Sequence, residues 1–141
     1  MKIELFTDGG SRGNPGPAAL GAVLYDVTHE KKIVAELSEY LGKTTNNQAE
    51  YMAIIRALEK AQELGAEEVD CFLDSQLAVK QLNLEYKVKD PDIAKRFTEA
   101  WKLLNSFKKY SLTHVRREFN KEADALVNKA LDRAELGIID K

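Results

Sequence analysis

Residues 45–74 read TNNQAEYMAIIRALEKAQELGAEEVDCFLD, and the order of signals within them decides the architecture. Thr45-Asn46-Asn47-Gln48 fits a capping box, in which a hydroxyl and an amide three residues apart satisfy orphan N–H groups at a helix start. Ala49, Met52, Ala53, Leu58, Ala61 and Leu64 follow at helical spacing, and Gly65 supplies the stop. Val69 to Asp74 is then a short apolar run ending in a carboxylate, and reads as a strand. A helix feeding a strand is the crossover of a parallel pair, and its right-handed form permits that strand to lie beside the first strand of the chain.

Working outward toward the N-terminus, Lys2 to Thr7 alternates, and Ala18 to Val27 and Lys32 to Leu41 are β-rich, separated by the polar turn Thr28-His29-Glu30-Lys31. Three strands open the fold as a meander. Toward the C-terminus, Ser75 to Leu82 reads as a short helix with Ser75 as its cap. Asp90-Pro91 starts another helix, with Ile93, Phe97, Ala100, Trp101 and Leu104 on a core-facing side. Tyr110 to Arg116 alternates as the last strand, and Asn120 caps a final helix carrying Ala123, Leu126, Val127, Ala130, Leu131 and Ala134. The order βββαβααβα predicts an α/β fold, a mixed five-stranded sheet with helices on both faces. One domain is expected over 1–134. Residues 135–141 form a tail whose Leu136-Gly137-Ile138-Ile139 is too apolar to be solvated, and it is expected to pack on the domain or on a partner.

Composition supports this reading. With 141 residues, 44% apolar and 31% charged, the chain can remove roughly 68–70% of its unfolded surface from water. No apolar run approaches the ~18 residues that span a bilayer, and MKIELFTDGG lacks the layout of a signal peptide. A monomer in the cytoplasm without a membrane partner is expected. Cys71 is the sole cysteine, which excludes an internal disulfide and a thiolate zinc cage. A net charge of −2 argues against a general nucleic-acid coat protein, so any polyanion must be gripped locally.

Open α/β sheets bind ligands at the carboxyl ends of their parallel strands. Asp8 ends the first strand, beside Gly9-Gly10-Ser11-Arg12-Gly13-Asn14-Pro15-Gly16-Pro17, a segment that reads as a turn. Asp74 ends the fourth strand. If the first and fourth strands are parallel neighbours, Asp8 and Asp74 converge on one edge, and with Glu50 early in the crossover helix and Asp124 early in the last one, all four acids could meet in one cleft. Such a cluster repels itself unless hard divalent cations neutralise it, and an all-oxygen set suits Mg²⁺ or Mn²⁺. Two-metal phosphoryl transfer is the chemistry implied. Chance and helix-dipole preference offer the competing account of these acids.

FTDGGSRGNPGPAALGAVLY, TTNNQAEYMAIIRAL, FLDSQLAVKQL and EFNKEADALVNKA occur in an order and at spacings that resemble type 1 ribonuclease H, over Lys2 to Ala134. The resemblance implies a ribonuclease H-like fold and an endonuclease that cuts the RNA strand of RNA–DNA hybrids, giving 5′-phosphate and 3′-hydroxyl ends. It implies two Mg²⁺ ions, with Mn²⁺ as a substitute, held by Asp8, Glu50, Asp74 and Asp124. Asp8 would bridge both ions, Asp124 would complete the water-activating site, and Glu50 with Asp74 would hold the ion beside the leaving group. Asn14, Asn46 and Gln76 match contacts to sugars and bases in the minor groove, where ribose hydroxyls mark RNA. Thr45 matches a DNA-strand phosphate contact. Gly9, Ser11 and Asn47, in the same motifs, join the substrate-binding set. Duplex RNA is a second partner to consider.

Two departures from the family pattern stand out. The loop before the last acid often carries a histidine that assists product release; here it contains Arg116-Arg117-Glu118-Phe119, while His29 and His114 lie elsewhere. Glu118 stands near the histidine's place and is the expected catalytic stand-in, with Arg117 as competitor. The basic protrusion found in some members is reduced to Asn83–Lys89, where Lys87 and Lys89 are the only basic residues. A catalytically silent hybrid- or duplex-RNA-binding module is the alternative from another class, disfavoured because a pure binder would gain by replacing the acids. A transposase or junction resolvase core is disfavoured by TTNNQAE and GNPG.

Overall fold

The computed structural model describes residues 1–137. Its central strand is Lys2–Ser11 (β1), in which Ile3, Leu5, Thr7 and Gly9 are buried on one side and Glu4, Phe6 and Asp8 are half-buried on the other. Gly16–Asp26 (β2) and Lys32–Thr44 (β3) continue from it as an antiparallel meander, and Glu68–Leu73 (β4) and Lys109–His114 (β5) add on the other side in parallel. The spatial order is β3-β2-β1-β4-β5. Thr7 pairs with Leu73 as the last rung between β1 and β4, so Asp74, just past the end of β4, and Asp8, where β1 continues paired with β2 alone, stand at the same edge.

Three helices cover one face: Asn46–Glu63 (α1), Gln76–Leu82 (α2) and Pro91–Leu104 (α3). Ile54, Leu58, Ala61, Leu82, Ile93 and Leu104 pack with Ile3, Leu5, Leu24 and Val69 in the main core, which also holds Cys71. Burial pushes the Cys71 thiol well up, so it stays protonated and inert. Lys121–Glu135 (α4) covers the opposite face with a small core of its own, Val127, Ala130 and Leu131 against Ala19 and Tyr40. Among the described residues, no helix is long and apolar enough to cross a membrane.

The caps fall where the side chains direct them. Thr45 Oγ1 accepts from Gln48 N at 3.2 Å, Ser75 Oγ from Ala78 N at 3.1 Å, and Asp90 Oδ1 from Asp92 N at 2.8 Å. Several expectations need correction. The glycine-rich segment is mostly ladder: Gly9, Gly10 and Ser11 pair with Leu20, Ala19 and Ala18, because glycine weakens a strand without removing its hydrogen-bonding groups. Strand β3 passes Leu41 through a bulge, where Gly42 takes φ +78°, and reaches Thr44. Strand β5 stops at His114, after which Val115 N bonds to Leu73 O at 2.8 Å and the chain turns. Trp101 is 39% exposed at the rim of α3 and not a core residue. Asn120 stands at the start of α4 but makes no capping bond. Leu136, which begins the apolar tail, is 77% exposed; Ile138 and Ile139 lie outside the described residues.

Candidate active site

Two close approaches assemble the four acids. A Cβ built on Gly9 would stand 2.3 Å from the Ala49 carbonyl carbon and 2.5 Å from Glu50 N, so only glycine lets α1 press its first turns onto β1 and deliver Glu50. On the other face a Cβ on Gly21 would stand 2.3 Å from Ala123 O and 2.9 Å from Val127 N. Gly21 is the cross-strand partner of Asp8, so the contact that admits α4 lies directly beside Asp8 and sets Asp124 against it. Polar ties near its start and middle help fix α4 in place. The buried Asn120 donates from Nδ2 to Thr7 O at 2.8 Å, and Ser38 Oγ donates to Leu126 O at 2.6 Å.

Removal of the Asn120 tie leaves the Thr7 carbonyl without that donor, at a cost typical of a buried hydrogen bond, about 1–3 kcal/mol. We therefore expect Asn120→Ala to lower the melting temperature and to slow metal-dependent cleavage by more than its stability loss explains. Thermal unfolding monitored beside cleavage rates checks this; an unchanged cleavage rate in the folded variant would refute the positioning role.

Asp8, Glu50, Asp74 and Asp124 line one cleft of about 370 Å³ together with Ser75, Arg117, Val127 and Asn128. Burial and the charges of Asp74 and Asp124 push the Asp8 carboxyl up to about 8, helped by a hydrogen bond shared with Asp124 and opposed by one from Gly9 N–H. Glu50 is also raised, chiefly by burial, with the Ser75 hydroxyl and the Arg117 charge pulling the other way. Asp74 Oδ2 is buried without a hydrogen-bond partner. Among the described residues no three acids, cysteines or histidines already close around one point. The donor set nevertheless fits a hard divalent cation: its ligands are all oxygen, one buried carboxylate oxygen is unsatisfied, and Asp8 is held from its charged form chiefly by burial and its like-charged neighbours.

Beside the cleft runs a groove of about 880 Å³ between the start of α1 and the start of α3. Asn46 and Glu50 line both, so the groove opens into the acid cleft. Asn14, Thr45 and Asn47 line it, and Arg96 closes its far wall, its Nε donating to Gln48 Oε1 at 3.1 Å. Asn46 Oδ1 accepts from Ser11 N at 2.8 Å and Ser11 Oγ at 3.0 Å, while Asn14 Oδ1 accepts from Asn46 N at 3.1 Å. Three of the expected substrate residues thus form one hydrogen-bonded group. Gln76 is exposed at the start of α2. In the loop before α4, Arg117 faces the acids, whereas Glu118 is exposed with its carboxylate 3.6 Å from Arg116 Nη1.

A family model described as reverse transcriptase-like matches residues 6–130. Ribonuclease H of Pseudomonas fluorescens is 33% identical over 144 residues, covering 92% of this chain and 92% of that protein. The chain belongs to the type 1 ribonuclease H family. Ribonuclease HI of Halobacterium salinarum is 47% identical over 133 residues, which cover 94% of this chain. This ribonuclease H chain spans only part of some relatives: 66% of the length of the halobacterial protein and 36% of the mycobacterial ones. Among solved structures, LC11-RNase H1 in complex with an RNA/DNA hybrid superposes with a TM-score of 0.87 at 42% identity, covering 94% of this chain and 98% of that one.

Sequence reading passed over the part that three residues play in building this cleft. Ser75 serves α2 as its cap and also hydrogen-bonds Glu50. Asn120, read as a cap, ties α4 to β1. Asn128 lines the cleft one turn beyond Asp124, a relation that i,i+4 spacing on a helix could have flagged.

Proposed function

We propose that the protein is an endonuclease that hydrolyses the RNA strand of RNA–DNA hybrids, leaving 5′-phosphate and 3′-hydroxyl ends. The observation that carries this reading is the half-buried Asp8 carboxyl pressed against Asp74 and Asp124 beside the unpartnered Asp74 Oδ2, an all-oxygen set that a hard divalent cation would satisfy. Two Mg²⁺ ions, for which Mn²⁺ could substitute, would supply a nucleophile at neutral pH and stabilise the departing 3′-oxygen. Asp8 would help hold both ions, Asp124 would complete the site on the attacking side, and Glu50 with Asp74 would hold the ion on the leaving side. Arg117 offsets the negative charge of the cleft, and it, more than the exposed Glu118, is placed to act on product.

Substrate is held along the groove. Thr45 would contact the DNA-strand phosphate, and Asn14, Asn46 and Asn47, with Gln76 exposed at the start of α2, would contact the minor groove, while Gly9 and Ser11 line the acid cleft into which the groove opens. Because Asn14, Ser11 and Asn46 already bond to one another, little ordering remains when a hybrid docks. That LC11-RNase H1 was crystallised with an RNA/DNA hybrid supports the same partner here. The protein acts as a cytoplasmic monomer in this reading, with duplex RNA as a second partner to test.

A labelled hybrid, duplex DNA and duplex RNA incubated with and without Mg²⁺ test this. Only the hybrid should be cut efficiently, and only with the cation. Tight hybrid binding without cleavage would instead identify a silent binding module.

Discrimination should rest on short-range contacts to ribose hydroxyls. A lost hydrogen bond to a neutral hydroxyl is worth on the order of 0.5–1.5 kcal/mol, so Asn46→Ala or Gln76→Ala should weaken hybrid affinity several-fold and all-DNA duplex affinity less. The comparison belongs in an inactive Asp8→Asn background. Equal losses for both duplexes would show that these residues only position the backbone.

A further inference from the structure

The guanidinium of Arg12, in the turn between β1 and β2, reaches across to α4. Its Nη1 donates to Glu135 Oε1 at 2.5 Å, and its Nη2 donates to Asp132 Oδ1 at 2.7 Å and to Asn128 Oδ1 at 3.3 Å. The other end of the Asn128 amide donates to Asp124 O at 3.1 Å and to Asp124 Oδ2 at 3.4 Å. The orientation of that amide is set by its neighbours. Arginine can only donate, and the Asp124 oxygens can only accept, so the oxygen must face Arg12 and the nitrogen must face Asp124.

Two carboxylates already neutralise Arg12, so it is not a free phosphate receptor despite its place at the cleft rim. What it does is mechanical. Arg12 N also closes the turn by bonding to Pro17 O at 2.8 Å, and two residues later in that turn Asn14 engages Asn46. One side chain therefore joins the loop that carries a substrate contact to the helix that carries an acid.

We propose that Arg12 and Asn128 form a positioning relay for Asp124: Arg12 fixes the Asn128 amide, and the amide N–H turns the Asp124 carboxylate toward Asp8. The relay rests on the two-metal reading of the cleft. Asn128 touches neither substrate nor the reacting atoms; it acts through Asp124. Groups that orient a metal-binding side chain typically contribute 10- to 100-fold to metal affinity or activity.

The test compares the parent with Asn128→Ala, Arg12→Met and the double variant. Mg²⁺ titration of the free protein, followed by amide chemical shifts, gives affinity without turnover. Single-turnover cleavage across Mg²⁺ concentrations and hybrid affinity without metal complete the set. Asn128→Ala is expected to weaken Mg²⁺ binding about tenfold, with the single-turnover rate restored by excess Mg²⁺ and hybrid affinity unchanged. Arg12→Met should give a smaller shift in the same direction. The double variant should be no worse than Asn128→Ala alone, since residues acting in series are not additive. An unchanged Mg²⁺ affinity in Asn128→Ala, or additive losses in the double variant, would overturn the relay. Failure of the parent to cut a hybrid, with Mg²⁺ binding and its relay dependence intact, would overturn the ribonuclease reading alone.

Discussion

Asp8→Asn is expected to reduce hybrid cleavage to below about a thousandth of the parent rate while leaving the fold intact, since under the proposed two-metal reading a residue that would serve both ions has no substitute in the cleft. The amide keeps the shape of the carboxyl but cannot give up a proton to become an anionic ligand. Its effect on stability should be opposite to that on activity. In the metal-free protein burial, together with the charges of Asp74 and Asp124, already pushes the Asp8 carboxyl up to about 8. A neutral amide removes that conflict, so the melting temperature without divalent cation should hold or rise. Added Mg²⁺ should then stabilise the parent more than the variant, because a ligand stabilises only the state that binds it. Purified Asp8→Asn protein with substantial Mg²⁺-dependent cleavage would remove Asp8 from the bridging role.

The second large effect is expected at Gly21. A methyl group there would enter the backbone of α4, meeting Ala123 O at 2.3 Å, and no rotamer change can relieve a clash with backbone. Overpacking of a core typically costs 1–3 kcal/mol, and a backbone clash lies at the upper end, so Gly21→Ala should lose about 3 kcal/mol and roughly 10 °C in melting temperature. Because α4 must shift outward and carry Asp124 with it, cleavage by the folded fraction should also drop, on the order of 10²-fold for a displacement near 1 Å. Gly10→Ala is the control for stability, since its Cβ would meet Val127 Cγ1 only at 4.0 Å. Equal melting temperatures for Gly21→Ala and the parent would show that α4 docks less tightly than the structure describes.

The legible and illegible parts of this protein divide along physical lines. Helix α1 could be read because its cap, spacing and stop are all local, and the crossover it forms places β4 beside β1 by handedness alone. Glu50, Asp74 and Asp124 were locatable because each sits just past a strand or early in a helix, and Asp8 because it closes the alternating run Lys2–Thr7, although its strand continues to Ser11. The extent of β1 was not readable, since Gly9, Gly10 and Ser11 have poor strand propensity and are held by pairing with Leu20, Ala19 and Ala18. Asn120 was read by its local preference for caps, whereas its amide serves Thr7, 113 residues away in sequence. Arg12 was likewise opaque: its partners Asn128, Asp132 and Glu135 lie on a helix more than a hundred residues on. Contacts of that range leave no trace in spacing.

The division of the interior into two unequal parts bears on how this protein loses activity. Three of the acids stand on β1, on α1 and at the end of β4, elements embedded in the large core, while the fourth rides on α4, which rests on a few side chains around Ala19 and Tyr40. A segment with little buried apolar contact opens before the rest of the molecule does. Warming should therefore release α4 as a unit while the sheet and the other helices still hold, and the protein should fall silent some degrees below the temperature at which it unfolds. Amide exchange of α4 would run ahead of that of β1, with catalytic failure tracking the detachment of a single helix.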